Sequence, residues 1–474
     1  MKRALIVVAA LGGVVGCGSP ATEDPAPAPP AQADAPRLVP KPGVDLAGPI
    51  AAPSRSARRA GTAAGDHHAM PALDLVSDRA VVALDAPRPP RGGAVAFHTP
   101  DERAAWIARI PEQVQLPAVA YGDGRVYVSG GFESVSYYAL DAATGQVDWM
   151  TSQLEDNGPT AAVYDDGRVV FNTESCTLFA LDAKSGKRLW FHTLGDPTLA
   201  QIAVADGLVF ASHPDADAGG QALSAYRVAT GDVVWSRPIA SELLGPPVIA
   251  GDSVYATTAA GVTYRVTRAT GRLAWARDYD ATAAPWVVAD EVFLSRQVHG
   301  AEQQIVVAAD SGALVREQRA IAGKYVWDVP SDATDSKAVW AFEGSRPVID
   351  RGVRYVAMGG AIRASDAASG EPMWERRYAG KEQARSVGSV ALAGSEIVVA
   401  TREGRLFGLD IDTGYTLWSY DLGHRVVAEP IVAKGWVYAA TTDGYVIAVN
   451  VADPTLDGWH MFGGSPGHDG ATSG

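Results

Sequence analysis

The side chains able to do chemistry are scattered along this chain. Gly463-Gly-Ser465-Pro-Gly467 has the Gly-x-Ser-x-Gly spacing of a nucleophile elbow. That device needs a strand before the serine and a helix after it, and a Pro- and Gly-rich segment supplies neither. Glu155-Asp-Asn157, with Asn172 and Glu174, carries oxygen atoms of the kind that hold Ca²⁺. Lying between short strand-like runs, they are expected to be polar turn residues. Asp215-Ala-Asp217-Ala-Gly-Gly220 begins like a calcium loop, but Tyr226 stands where the distant carboxylate belongs. His67-His68 has no spaced partner that would complete a metal site. Cys17 and Cys176 are the two cysteines, so no adjacent pair exists. Cys176 alternates with apolar neighbours between Phe171 and Phe179, with no Lys, Arg or His beside it, which predicts a small buried residue and not a reactive thiol. The expectation is that the chain has no catalytic, cofactor-binding or metal-binding residue.

One pattern does recur, about every 41 residues. A small residue, then Asp, then Thr-Gly or Ser-Gly, is followed by Trp four residues after the Gly. Ala139-Leu-Asp141-Ala-Ala-Thr-Gly145 leads to Trp149, and Ala180-Leu-Asp182-Ala-Lys-Ser-Gly186 to Trp190. Ala364-Ser-Asp366-Ala-Ala-Ser-Gly370 leads to Trp374, and Gly408-Leu-Asp410-Ile-Asp-Thr-Gly414 to Trp418. Weaker copies keep Gly231 with Trp235, Gly271 with Trp275, and Gly312 with Arg316 in place of Trp. Runs such as Arg125-Val-Tyr-Val-Ser129 and Trp436-Val-Tyr-Ala-Ala440 are short, β-branched and aromatic, and they follow Asp-Gly or Lys-Gly turns, so they predict antiparallel strands. A unit of three or four such strands cannot bury both faces alone, and a ring of stacked units can.

The spacing therefore predicts an all-β, eight-bladed β-propeller over residues 101–456. Trp106 lies one period before Trp149 without a complete blade of its own, while the last unit, ending near Val451, lacks an outer strand. The N-terminal strand is expected to complete that last blade and close the ring. Seven blades is the alternative if the Arg316 unit is not a blade.

Residues 1–17 have the form of a secretion signal: Met1-Lys2-Arg3 is basic, an apolar run follows, and Val14-Val-Gly-Cys17 ends it. The run is shorter than the roughly 20 residues needed to span a bilayer. Residues 18–100, rich in Pro and Ala, are expected to be a flexible tether. Residues 457–474 are expected to pack on the propeller as a C-terminal tail. A net charge of −14 disfavours nucleic acid and anionic lipid surfaces as partners.

The repeated Ala-x-Asp-x-x-Thr/Ser-Gly-x-x-x-Trp unit resembles the tryptophan-docking repeat of the pyrroloquinoline quinone (PQQ)-like propeller superfamily. Trp459-His-Met-Phe462 with Pro466-Gly-His468-Asp-Gly470 is similar to a segment near the termini of its members. The resemblance implies that the Asp, Gly and Trp positions hold blades together. Val14-Val-Gly-Cys17 resembles a lipobox, which implies lipidation at Cys17 and, with Gly18 following, an outer-membrane address. The superfamily divides into quinone-dependent dehydrogenases of alcohols or sugars and non-catalytic scaffolds. Without a Cys-Cys pair or a ligand cluster, the chain looks like the second branch, similar to the lipoprotein propeller subunit of the outer-membrane β-barrel assembly machinery. That resemblance implies a protein-binding, lipid-anchored envelope scaffold without a cofactor. It would be a monomer within a complex, with envelope proteins such as a β-barrel assembly component as partners and no nucleic acid. The quinone-dependent dehydrogenase is the alternative. The spacing from Arg316 to Trp374 exceeds the period, and the surplus carries Tyr325, Trp327, Trp340 and Phe342, a candidate partner-binding loop.

Overall fold

The computed structural model describes residues 80–470 apart from 132–133, 153, 155, 175, 196–201, 216–218, 299–300, 319–346, 359–360, 378–389 and 427, together with the backbone of Leu73–Asp74. Eight sheets form, each around four antiparallel strands, and no helix occurs among the described residues. Blade 1 shows the plan. Its inner strand Ala120–Gly122 is followed outward by Arg125–Ser129, Tyr137–Asp141 and Val147–Thr151. The inner three strands of the blades carry most of the buried apolar residues, while the fourth strands of blades 1–4 are partly exposed. In the regular blades the turn after the inner strand and the Thr-Gly turn lie side by side, as in the bonds Ala142 N–H to Gly124 O and Ala183 N–H to Gly167 O.

Five blade junctions are locked by a hydrogen bond from the recurring Trp to the next blade. The indole N–H of Trp106 donates to Ala142 O at 3.0 Å, that of Trp149 to Ala183 O at 2.9 Å and that of Trp190 to Val228 O at 2.7 Å. Trp235 does the same to Arg268 O at 2.8 Å and Trp275 to Ala309 O at 2.9 Å. The acceptor is always the carbonyl one residue past the Asp position of the following blade. The Gly of that same turn lies flat on the indole: a Cβ on Gly145 would sit 2.4 Å from Trp106 Cε3, and one on Gly186 would sit 2.5 Å from Trp149 Cε3. Both glycines also hold positive φ, 72° and 68°, so backbone shape and indole contact each demand Gly. The Asp shapes the turn from within, since Asp141 Oδ1 accepts from Thr144 N–H at 2.9 Å and from its hydroxyl at 2.7 Å.

The degenerate unit is a true blade. Arg316 occupies the Trp position, its guanidinium donates to Ala367 O at 3.2 Å, the same acceptor position, and Glu291 binds its other edge. The count is eight because a planar, hydrogen-bonding cation replaces the planar indole.

The ring closes as the Trp106 register implies. Ala104–Arg109 pairs antiparallel with Tyr445–Asn450, placing Trp106 opposite Ala448. This blade has no Thr-Gly turn, so Trp418 of blade 7 finds no dock ahead of it. Its indole instead folds back over Gly408 of its own blade, where a Cβ would lie 2.1 Å from Trp418 Cε2, and donates to Glu396 at 2.7 Å. Burial raises the Glu396 carboxyl pKa. The acceptor position Trp418 leaves is filled by Arg103, which donates to Val451 O at 3.0 Å and pairs with Asp101, itself bonded by the Tyr420 hydroxyl.

The chain before Trp106 differs from a free tether. Leu73–Asp74 pairs parallel with the outer strand of blade 6, Val82–Ala83 with that of blade 7, and Ala94–His98 lies antiparallel on Ala104–Arg109 of blade 8. Residues 80–100, assigned to the tether by composition, therefore run along blade edges. Val82–Ala83 is only two residues long and pairs with a strand far along the chain, whereas Ala94–His98 forms a hairpin with the strand that follows it.

Beyond blade 8, residues 456–470 cross the hub along the free edges of the inner strands. Val432 of blade 8 exchanges backbone bonds with Trp459, and Tyr121 N–H of blade 1 donates to His460 O at 2.6 Å. Val204 N–H of blade 3 donates to Pro466 O at 2.7 Å, and Ile249 N–H of blade 4 to Gly467 O at 2.8 Å. Gly470 then lies against Trp286 of blade 5. Trp459 is fully buried with its indole N–H on Glu429, and the His468 ring bridges the carbonyls of Phe462 and Ile202 at 2.5 and 2.7 Å. At the entry to this segment, Asp457 accepts from Lys434 at 2.5 Å and sits 2.7 Å from His460.

Trp275, only 4 % exposed, is a dock without a substitute, and Trp275→Ala should lower the unfolding free energy by about 3–5 kcal/mol in denaturant titration. At the seam, Gly408→Ala should be destabilising where alanine already stands at the equivalent positions 139, 180 and 364, read by the same titration. The tail entry should be acid-sensitive. Burial alone would raise the Asp457 carboxyl, but the bonds from Lys434 and His460 outweigh it and hold it from its ordinary 3.8 down to about 2. A depressed carboxylate stabilises the fold fully above its unfolded value, and that contribution fades as pH falls from 3.8 towards about 2. Asp457→Asn should remove this component from a plot of stability against pH.

Candidate functional site

Those of the candidate residues that lie among the described ones are engaged in local structure. Ser465 donates to Asp469 at 2.6 Å and accepts from Gly467 N–H at 3.2 Å inside a turn of the tail, with neither strand nor helix around it. Asn172 accepts from Thr160 at 2.7 Å, and Asp156 accepts from Thr173 at 2.6 Å, so both tie together the loops of blade 2. Glu174 donates its N–H to Gly158 O in the same region. Asp215 and Gly220 close a hairpin tip through Asp215 N–H to Gly220 O at 2.9 Å. Cys176 is buried. Tyr325, Trp327, Trp340 and Phe342 lie outside the described residues, as do Cys17, Glu155, Asp217 and the His67-His68 pair.

A quinone held with Ca²⁺ in the hub would need several oxygen donors facing a common space. The described residues do not fit that group. No set of three or more His, Cys, Asp or Glu side chains converges among them, and inner-strand edges of blades 1, 3, 4 and 8 are bonded to the tail.

What the described surface offers instead is backbone. An outermost strand of a sheet has a row of N–H and C=O groups with no partner in its own sheet, and that row is a template for another strand. The chain's own N-terminal segment takes up this role on blades 6, 7 and 8, with five paired residues on blade 8. Among the described residues nothing pairs with the outer strands of blades 1–5. Two of these, Val147–Thr151 and Arg188–Thr193, carry Val147, Met150, Leu189 and Phe191 with side chains in solvent. Periodicity marked these segments as strands, but a repeat motif does not say which edges the rest of the chain leaves uncovered.

Comparison with known proteins agrees with this architecture. The family model for outer membrane protein assembly factor BamB matches residues 74–202, 177–360 and 358–465. The BamB of Yersinia pestis is 27% identical over 295 residues, covering 58% of this chain and 69% of that protein. The Escherichia coli (strain K12) BamB is 31% identical over 156 residues, covering 31% of this chain and 37% of that protein. A tetrathionate hydrolase of Acidithiobacillus ferrooxidans is 22% identical over 413 residues, 78% of each chain. Among solved structures, BamB from Moraxella catarrhalis superposes with a TM-score of 0.55 at 16% identity, over 75% of this chain and all of that one. The quinohemoprotein alcohol dehydrogenase ADHIIG from Pseudomonas putida HK5 gives 0.53 at 14% identity, over 73% and 78% of the two chains. These structural likenesses carry the fold alone. The match to the family model spans nearly all of the described chain, from the strands laid on blades 6–8 to the tail across the hub, and the chain belongs to the outer membrane protein assembly factor BamB family of PQQ-like repeat propellers.

Proposed function

We propose that this chain is a non-enzymatic scaffold of the cell envelope, anchored by lipid at Cys17, that takes part in the assembly of outer-membrane proteins. The observation that carries the reading is the hub. In a propeller enzyme the centre of the ring is where a cofactor meets its substrate, and here the backbone of residues 456–470 lies along inner-strand edges while Ser465, His468 and Glu429 serve the tail itself. Membership of the BamB family supports the same reading. Stacked blades joined by loops suit protein binding, because loops on a stiff ring can be varied without disturbing its core. The loop bearing Tyr325, Trp327, Trp340 and Phe342 is the proposed contact with the assembly machinery.

A quinone-dependent dehydrogenase is the second reading, favoured by the fold shared with ADHIIG. It expects a bound chromophore and dye reduction when protein, quinone and Ca²⁺ are combined with alcohols or sugars. The scaffold reading expects neither.

In cells of the native host, affinity purification of the full chain should bring down β-barrel assembly components. Deleting residues 322–342 should abolish that capture while leaving the thermal unfolding of the propeller unchanged, and Cys17→Ser should release the protein from the membrane fraction. Capture undiminished by the deletion would remove the loop from the account, and quinone-dependent turnover would remove the scaffold reading.

A further inference from the structure

Arg316 is not the only cation built into the junction between blades 5 and 6. Arg354 is the second residue of Val353–Met358 in blade 6 and stands opposite Ser365 in antiparallel register. In the seven other blades the position of Arg354 holds Val or Ile, as in Val126 opposite Leu140, Val292 opposite Val307 and Ile397 opposite Leu409. Side chains alternate between the two faces of a strand. Tyr355, the next residue, reaches across to blade 7, where its hydroxyl donates to Ile411 O at 3.4 Å, so Arg354 and Ser365 face blade 5. Blade 5 turns towards them the side that carries Phe293 and Arg316, with the Arg316 guanidinium 5.8 Å over the Phe293 ring.

A valine site therefore holds a guanidinium. Arg354 is 1 % exposed. Its Nε donates to Ser365 Oγ at 3.0 Å, while Nη1 is buried without a hydrogen-bond partner. Burial, and then repulsion from Arg316, bring its pKa from the ordinary 12.5 down to about 10, so it stays charged at neutral pH. The carboxylates nearby are committed elsewhere. Glu291 gives both its oxygens to Arg316, and Asp366 is bound into its own turn by the N–H and hydroxyl of Ser369. Arg316 in turn keeps its Nε buried without a partner. Burying an ion without a counter-ion is costly, and a buried donor left unpaired adds to that cost.

We propose that a small inorganic anion of the chloride class binds in the interface of blades 5 and 6, accepting from Arg354 Nη1 and from the hydroxyl of Ser365, whose oxygen already accepts from Arg354 Nε. Size follows from burial. A carboxylate or phosphate carried on a larger molecule cannot reach a guanidinium that is 1 % exposed, whereas a single ion can enter at the edge of the interface, where the Arg316 and Glu291 side chains are 25 % and 30 % exposed. Water would satisfy the hydrogen bonds but not the charge. The anion completes a junction that has no indole, and the inference does not rest on the assembly role proposed above.

The test is denaturant unfolding of the full chain at constant sodium and ionic strength, with chloride replaced stepwise by gluconate, alongside anomalous diffraction from crystals grown in bromide. Chloride is expected to stabilise the wild type saturably, raising the folding equilibrium constant roughly tenfold at about ten times its dissociation constant, and bromide to give a peak beside Arg354 Nη1. The double variant Arg354→Val, Ser365→Leu, which restores the residue types of blades 1 and 2, should unfold identically in the two salts. Arg354→Met alone, which removes the charge and keeps a long side chain, should do the same. Equal effects of chloride and gluconate on the wild type, or chloride dependence that survives in either variant, would overturn the site. So would a bromide peak confined to other places. A peak at Arg354 with no saturable effect in solution would mean an adventitious ion only, and would equally overturn it.

Discussion

The contact on which the ring depends is an indole laid on the glycine of the neighbouring blade. It combines two effects in one place: a large apolar ring is withdrawn from water, and its single N–H finds a carbonyl that would otherwise be buried at the turn. Because donor and acceptor sit on successive blades, each bond orients one sheet against the next. Five such bonds run from blade 8 through blade 1 to blade 5. The chain then shows two ways to preserve the arrangement without its usual parts. Arg316 keeps planarity and the bond while exchanging apolar contact for an ion pair with Glu291. At the seam, the dock is dismantled and replaced by Arg103 on one side and Glu396 on the other.

Much of this was legible in the sequence because each residue of the repeat has a short-range reason to be what it is. Asp, Thr and Gly build one turn, and Trp finds the same turn one blade on, so spacing alone yields a stacked ring and its closure through Trp106. The loss of Trp at 316 left the count between seven and eight, since nothing local announces that a guanidinium will reach Ala367. The strand Leu73–Asp74 was hidden in a Pro- and Ala-rich stretch because two residues have no periodicity, and for Val82–Ala83 it was the partner that could not be read, an edge completed far away in sequence. Gly408 did carry a signal. Where its counterparts in blades 1, 2 and 6 are alanine, a residue without Cβ marks the place where Trp418 turns back.

The candidate site was less legible, and for a physical reason. Carboxylates and amides such as Asp156 and Asn172 look like ligands when only their types are known, and become loop ties once Thr173 and Thr160 are seen beside them. Backbone availability leaves no trace in residue type at all. Whether an outer strand is open depends on which other segment lies on it, and here the N-terminal chain covers three blades in succession and stops. The BamB family membership and the tail across the hub are the two observations behind the proposal of a body that acts by presenting surfaces.

Selective ¹⁵N labelling of the 12 tryptophans, followed by exchange of their indole protons with deuterated solvent, tests the interlocked ring most directly. The account predicts that the indole protons of Trp106, Trp149, Trp190, Trp235 and Trp275 exchange slowly and together, at the rate of global unfolding, because each is held between two blades. Fast exchange of these five, or independent rates typical of exposed indoles, would contradict it.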